Sequence, residues 1–313
     1  VHIPVLLEEA VNALAIKANG IYVDGTYGQG GHSRLILSRL GKSGRLIVFD
    51  KDPAAIIVAQ SVVDSRFQAI HSSYAGMQEA LQLLGVDQVD GILLDLGVSS
   101  VQLDKPSRGF SFRHDGPLDM RMNSNQGETA MEWLATVSEA ELKEVIKTYG
   151  EERYAGRIAG AIVKERVYQP IQTTLQLAEV VTAAVSSSYR AHRLHPATRT
   201  FQAIRIYLNR ELDELSAVLP QCVELLKTKG RLAVISFHSL EDRIVKRFMR
   251  KQASANTLPR KLPIREQEKY LHTQQQLKII GKKICPNTDE VAVNPRARSA
   301  VMRVAEKLAV DDQ

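Results

Sequence analysis

The chain of 313 residues carries 41 Lys and Arg against 35 Asp and Glu, a net charge of +6, with 44% hydrophobic and 24% charged residues. This globular balance excludes global disorder and collagen-like repeats, and the length holds one large or two modest domains. Cys222 and Cys285, far apart and in no C-x-x-C pattern, exclude a disulfide scaffold or a four-cysteine zinc site and fit a reducing cytosol.

The first hundred residues alternate strand-like and helix-like segments. Residues 20–24 form a short apolar run that leads into glycines, and residues 33–40 follow with apolar positions at helical spacing. Residues 45–50 read as a second buried strand, with Pro53 at the first position of the next helix. Residues 67–70 are a weaker third strand, and 90–96 a strong fourth. Continuous apolar runs, rather than strict alternation, predict strands covered on both faces in a parallel sheet. Residues 104–127, rich in Gly, Pro, Asp, Arg and Met, predict an irregular loop. Ser138 and Glu141 mark a helix start, and 138–149, 151–166 and 173–186 read as helices without intervening strands. Strand pattern returns at 230–236, and 277–281 and 299–304 predict a closing hairpin with a long connection. The expected architecture is an α/β sheet domain, residues 1–103 and 196–313, split by a helical insertion at 104–195. No apolar run approaches the roughly 18 residues that span a bilayer, so a cytoplasmic protein without membrane contact is expected.

Charge is uneven along the chain. Lys and Arg outnumber Asp and Glu by 16 to 7 across residues 243–313. A basic C-terminal quarter fits either a polyanionic partner or a solvated surface.

The chemistry-bearing residues cluster at strand ends. Val23-Asp24-Gly25-Thr26-Tyr27-Gly28-Gln29-Gly30-Gly31-His32 lies between the first strand and the first helix of the alternating pattern. Glycines there let backbone approach a ligand, and a helix N-terminus offers free N–H groups. The spacing is not G-x-G-x-x-G, and no P-loop is present. Asp50 ends the second strand, where a carboxylate can accept hydrogen bonds from both hydroxyls of a ribose. Asp52 is a competitor that can equally cap the helix at Pro53. These residues resemble the class I S-adenosylmethionine methyltransferases, with Asp24 as the acid of the first motif, Gly28 and Gly30 as its last two glycines, and Thr26 in place of the first. Leu94-Asp95-Leu96-Gly97-Val98-Ser99-Ser100 ends the fourth strand without the polar-Pro-Pro-aromatic motif of many amino-methyltransferases.

Longer motifs narrow the resemblance. Asp95 to Asp104 is followed by Arg108-Gly109-Phe110-Ser111-Phe112 and Gly116-Pro117-Leu118-Asp119-Met120-Arg121-Met122. His195 to Ala203, Ser236 to Arg243, and Asn294-Pro295-Arg296-Ala297-Arg298-Ser299 come later. Across essentially the whole chain this resembles the bacterial 16S rRNA (cytidine-N4)-methyltransferases. The resemblance implies a Rossmann-like class I methyltransferase sheet with an inserted all-helical domain for RNA recognition. It implies S-adenosyl-L-methionine as cofactor, held at Gly28, Gly30, Gly31, His32, Asp50, Tyr74, Asp95 and Gln102. It implies a partner too: 16S rRNA within the small ribosomal subunit, modified at a decoding-region cytidine.

A cytidine N4 amine is a poor nucleophile, so the enzyme must orient it and accept its hydrogen bonds. Asp95, Ser99 and His238 are the candidate polar pocket. Asp95 can instead serve only the cofactor, and His238 can instead bond within its own turn. No metal is expected. Arg108, Arg113, Arg121, Arg199, Arg205, Arg296 and Arg298 are candidate RNA contacts. Asp119 can instead hold Arg121 or Arg113 in place, and Phe201 and Trp133 are expected in the core. A monomer and a homodimer both remain open.

Overall fold

The computed structural model describes residues 4–185, 195–254 and 275–309. The chain divides into two compact units, Val1–Gly97 with Leu212–Gln313, and Val98–Glu211.

The first unit opens with α1 (Leu7–Ala13). It then alternates β1 (Ile21–Asp24), α2 (Gly31–Arg39), β2 (Arg45–Asp50), α3 (Pro53–Gln60), β3 (Phe67–His71), α4 (Met77–Leu83) and β4 (Val89–Asp95). The strands expected from continuous apolar runs form within one or two residues of expectation. From Leu212 onward α11 (Glu211–Leu225) belongs to this unit, followed by β5 (Leu226–Ser236), α12 (Ser239–Ala253), β6 (Leu277–Ile279), α13 (Thr288–Val293) and β7 (Val301–Lys307). The sheet order is β3-β2-β1-β4-β5-β7-β6, parallel from β3 to β5, with β7 antiparallel to both its neighbours.

Side chains alternate across this sheet as the pleat requires. Val23, Ile47, Phe49, Ile92, Leu94, Leu232 and Val234 face the core built with α4, α11 and α12. Tyr22, Leu46, Val48, Leu93, Ala233 and Ile235 face the opposite core, built with α1, α2 and α3. Helices on both faces explain why Ile92, Leu93 and Leu94 of β4 form a continuous apolar run rather than alternating. At the amino end of β4, buried Asp90 accepts from Lys17 and Lys227 at 2.9 and 2.8 Å and from the Ile21 N–H at 3.0 Å. These bonds hold its carboxyl below the usual range despite the burial.

The second unit holds α5 (Ser100–Asp104), α6 (Ala130–Thr136), α7 (Glu139–Gly150), α8 (Ala155–Tyr168), α9 (Thr174–Val185) and α10 (Ala197–Asn209). Ser138 caps α7 as expected, accepting the Glu141 N–H. Helix α6, which the sequence pattern did not mark, is set by the capping box of Thr129 and Glu132. The domain boundary also differs from the expected 103/196. Helix α10 packs on α7, because Ala197, Phe201, Ala203 and Ile204 all enter the helical core. That stripe draws residues 196–211 into the second unit. Phe201 sits edge-on to Phe112 at 4.8 Å, and Trp133 stacks on Tyr207 at 4.8 Å, so both aromatics are core anchors. No helix among the described residues is long and apolar enough to cross a membrane.

The α7–α10 packing is close enough to be tested by one methyl group. A Cβ at Gly150 would lie 2.7 Å from the Arg199 carbonyl oxygen, a backbone atom that cannot swing away. Gly150→Ala is expected to destabilise the second unit by about 1–3 kcal/mol, through overpacking. Thermal unfolding at two wavelengths, one reporting Trp133, measures the loss.

Candidate cofactor and catalytic site

Three adjacent strands of the first unit end in aspartate: β1 in Asp24, β2 in Asp50 and β4 in Asp95. Register relates them. Asp24 pairs with Val48 on one side and Leu93 on the other, so Asp50 and Asp95 each lie two residues further on. A two-residue step keeps a side chain on the same face, about 6–7 Å along the strand. Asp50 and Asp95 therefore flank the space beyond the end of β1. The crossovers diverge here to either side of β1, the position where open α/β sheets bind ligands.

The glycine loop fills the turn from β1 into α2. Gly28 and Gly30 adopt left-handed φ of 55° and 70°, which strain any L side chain. Gly30 caps α2 without a side chain and leaves the helix N-terminus open. Asp24 is 1% exposed and staples the loop. Its Oδ1 accepts the Thr26 N–H at 3.0 Å, and its Oδ2 accepts the Ser33 hydroxyl at 2.6 Å. Burial, the largest influence, raises its pKa against these bonds. Thr26, which replaces the first glycine of the general motif, accepts the Asp95 N–H on its hydroxyl at 2.7 Å. This threonine ties the loop to the tip of β4, a role that spacing alone did not reveal.

Asp50 accepts the Gly28 N–H on Oδ2 and the Asp52 N–H on Oδ1, both at 2.8 Å. Each oxygen keeps further acceptor capacity. Burial drives its pKa up to about 6, with Asp52 and Asp24 adding repulsion and the two N–H bonds opposing it. Asp52 caps α3 through the Ala54 N–H at 2.9 Å, the structural alternative open in the sequence. Tyr74 opens a short 3-10 turn after β3, half-buried, beside Gly25.

Asp95 has the least compensated carboxyl of the three. Its side chain is 24% exposed, yet Oδ1 is buried without a hydrogen-bond partner among the described residues. Burial, then repulsion from Asp24 and Glu241, raises its pKa well above the ordinary value. His32 stands beside it. The His32 Nε2 lies 3.1 Å from the Val5 carbonyl oxygen, which can only accept, so Nε2 carries a proton. Nδ1 then faces Asp95 Oδ2 at 3.6 Å. Gly31 packs against Pro4, where a Cβ would come within 2.0 Å of Cγ, so this glycine serves close packing.

His238 occupies the N-cap position of α12 without capping it. Its ring is 10% exposed, and Nε2 lies 3.2 Å from Glu241 Oε1. That separation suits an ion pair, but its direction does not make a hydrogen bond, and neither ring nitrogen has one among the described residues. The expected alternative, a histidine hydrogen-bonded within its own turn, is not met among the described residues. Glu241, 2% exposed, accepts the Phe237 N–H at 2.8 Å; nothing in the sequence pattern singles it out.

Ser99 and Gln102 belong to the second unit and form a capping box on α5. Ser99 Oγ accepts the Gln102 N–H, and Gln102 Oε1 accepts the Ser99 N–H at 2.9 Å. The arginines expected to contact RNA are mostly engaged within the protein. Arg108, 9% exposed, donates to the carbonyls of Arg121 and Met122, both at 2.9 Å. Arg121 forms a two-pronged pair with Asp119, and Arg205 one with Glu211. Arg199 donates to the Glu151 carbonyl at 3.0 Å, just past the end of α7. Arg296 is half-buried, while Arg113 and Arg298 are exposed. Sequence pattern marks arginines but not the local carbonyls and carboxylates that occupy them.

The sheet order with its reversed seventh strand, the glycine loop at the first crossover and the acid ending β2 define a class I methyltransferase fold. The chain belongs to the MraW methylase family, whose model matches residues 1–308. It is similar to the ribosomal RNA small subunit methyltransferase H of Nitrosomonas eutropha, with 74% identity over 308 residues, 98% of this chain and 97% of that protein. The protein of the same name from Neisseria meningitidis serogroup B is 57% identical over 310 residues, 98% and 93% of the two chains. Among solved structures, an rRNA methylase from Streptococcus thermophilus aligns at TM-score 0.41 and 11% identity over 99% of this chain and 100% of that one. A SAM-dependent O-methyltransferase from Thermotoga maritima aligns at TM-score 0.40 and 11% identity, over 100% and 68%.

The raised pKa of Asp95 has a consequence for stability. A carboxyl harder to ionise in the folded chain favours folding below the unfolded pKa and loses that contribution as pH rises. Asp95→Asn removes the buried charge. It is expected to raise Tm at neutral pH by on the order of 2–4 °C, with the gain vanishing toward pH 4. Thermal unfolding from pH 4 to 8 measures it; a Tm unchanged or lowered throughout contradicts the reading.

Proposed function

We propose that this chain transfers a methyl group from S-adenosyl-L-methionine to the N4 amine of a cytidine in 16S rRNA of the small ribosomal subunit, in the cytoplasm. The observation that carries it is the Asp95 Oδ1 without a hydrogen-bond partner among the described residues, beside an open glycine loop, in a chain whose relatives are named as small-subunit rRNA methyltransferases.

The residues present fit the cofactor. Gly28 and Gly30 hold a turn in which backbone can approach a ligand closely, and Asp50 offers two oxygens with spare acceptor capacity for a ribose diol. Tyr74 offers a ring beside the loop for adenine, and His32 stands in the first turn of α2. When bound, the cofactor supplies a methyl group already activated by its sulfonium, so the protein's task is orientation and proton handling.

Asp95 accepts an N–H of the target amine on its free Oδ1. That bond fixes the amine and lets its nitrogen lone pair point away from the ring. The high proton affinity of Asp95 suits it to receive the proton that N4 loses. His32 Nδ1 beside Oδ2 provides an acceptor on the carboxyl's other side. Ser99 and His238 are further candidates to meet the base, and neither ring nitrogen of His238 has a hydrogen bond among the described residues. The cytidine must leave its stack to reach such a site. The helical unit, with Arg113 exposed, is assigned to RNA recognition, and Arg298 to the rim of the sheet unit.

The direct test is methyl transfer from labelled cofactor to small subunits purified from a strain lacking this gene, with the modified nucleotide mapped. Label on a cytidine N4 is expected; label on carbon or ribose, or none, overturns the reading. Asp50 gives a second test. Its carboxylate protonates near pH 6, and a neutral acid accepts diol hydrogen bonds poorly. Affinity for S-adenosylmethionine should therefore fall below that pH, by up to about tenfold per unit. In Asp50→Asn, binding should be weak at all pH values and flat. Calorimetric titration at pH 5 and 8 separates these outcomes.

A further inference from the structure

Most of the arginines expected to bind RNA are tied to internal partners, and helix α12 presents a further set of cations. At about 100° per residue, Val245 and Met249 fall on one side, fully buried in the sheet unit's core, with Ile244 and Phe248 packed partly against it. Arg243, Lys246, Arg247, Arg250 and Lys251 fall within a single arc on the opposite side. Arg247, Arg250 and Lys251 are exposed and Lys246 is half-buried. No acid shares that arc. The helix's acids sit in its first turn and are used: Asp242 pairs with Arg303 through both oxygens, and Glu241 is buried beside His238. Lys246, Arg247, Arg250 and Lys251 make no ion pair with any described residue.

An ordinary solvated helix face interleaves signs, because like charges four apart repel. Here Lys246 faces Arg250, and Arg247 faces Lys251, with nothing opposite in sign between them. The helix dipole accounts for Arg250 and Lys251 in the last turn, but not for Lys246 and Arg247 in the middle. A membrane surface fits poorly, since the apolar face that would insert is already buried in protein.

We propose that the outer face of α12, centred on Lys246, Arg247, Arg250 and Lys251, is a phosphate-binding rail that docks the sheet unit on the backbone of the substrate RNA. The inference rests on the rRNA reading above and adds a surface that sequence motifs did not mark. Such contacts give affinity and orientation without base specificity.

The test uses the full chain carrying K246Q, R247Q, R250Q and K251Q together, with the pairs K246Q/R247Q and R250Q/K251Q as intermediates. Binding to purified small subunits is measured from 50 to 300 mM salt. Each phosphate left without its cation is expected to lower the slope of log affinity against log salt by about 0.7–0.9. The fourfold variant should therefore reduce the slope by roughly 3 and bind at least about tenfold more weakly near 0.1 M salt, with each pair showing about half the effect. KM for subunits should rise, while kcat at saturating RNA, cofactor Kd and Tm stay at wild-type values. An unchanged slope and KM in the fourfold variant overturns the proposal. So does wild-type binding to poly-glutamate or to phosphatidylserine vesicles as tight as to RNA. If wild-type protein binds subunits with the expected slope but methylates no cytidine N4, the rRNA methylation reading fails and the rail stands.

Discussion

The fold converges on one electrostatic problem: three carboxylates at the ends of three neighbouring parallel strands. Parallel strands lie about 4.8 Å apart, so Asp24, Asp50 and Asp95 share a small volume at one rim of the sheet. Burial pushes all three toward protonation, and repulsion from neighbouring carboxylates adds to it at Asp50 and Asp95. Each is answered differently. Asp24 is satisfied by Thr26 and Ser33 and becomes the staple of the glycine loop. Asp50 takes two backbone N–H bonds and keeps capacity to spare. Asp95 retains an oxygen with no partner among the described residues. The three carboxyls thus grade from fully satisfied to partly unsatisfied along one rim of the sheet.

The backbone around this rim exists to hold that arrangement. Left-handed Gly28 aims its N–H at Asp50, and the Thr26 hydroxyl takes the N–H of Asp95, so a single loop bonds to the ends of both flanking strands. Two apolar cores clamp the sheet from either face and fix its register. A slip of one residue would turn an aspartate to the other face. At the opposite end of β4, Asp90 carries a charge fully answered by two lysines, which shows what a purely structural buried acid looks like here.

The helical unit handles charge in the opposite way. Its arginines end helices, clamp loops and bind carboxylates: Arg199 at the end of α7, Arg121 on Asp119, Arg205 on Glu211. Each bond organises the unit, and each reduces the charge presented to solvent. On the sheet unit's α12, Lys246, Arg247, Arg250 and Lys251 stay outside any ion pair with the described residues, so part of the basic character of the C-terminal quarter lies on one helix face.

The amino-acid sequence by itself determined the strand runs, the glycine loop, the strand-end acids and the split into sheet and helical parts. Apolar periodicity and turn chemistry are local, and long ordered motifs carry family membership. Asp52 as a helix cap and Phe201 and Trp133 as core residues were equally legible, because each follows from near neighbours. Helix α6, the boundary at residues 97 and 211, and the partners of Arg108, Arg199 and Arg205 were not. They depend on how the chain folds back on itself: an apolar stripe on α10 that closes on α7, and carbonyls and a carboxylate brought to each arginine by the turns around it. Only tertiary structure decided which of three similar aspartates was left unsatisfied, since that turns on Thr26, Ser33 and two N–H groups meeting the other two.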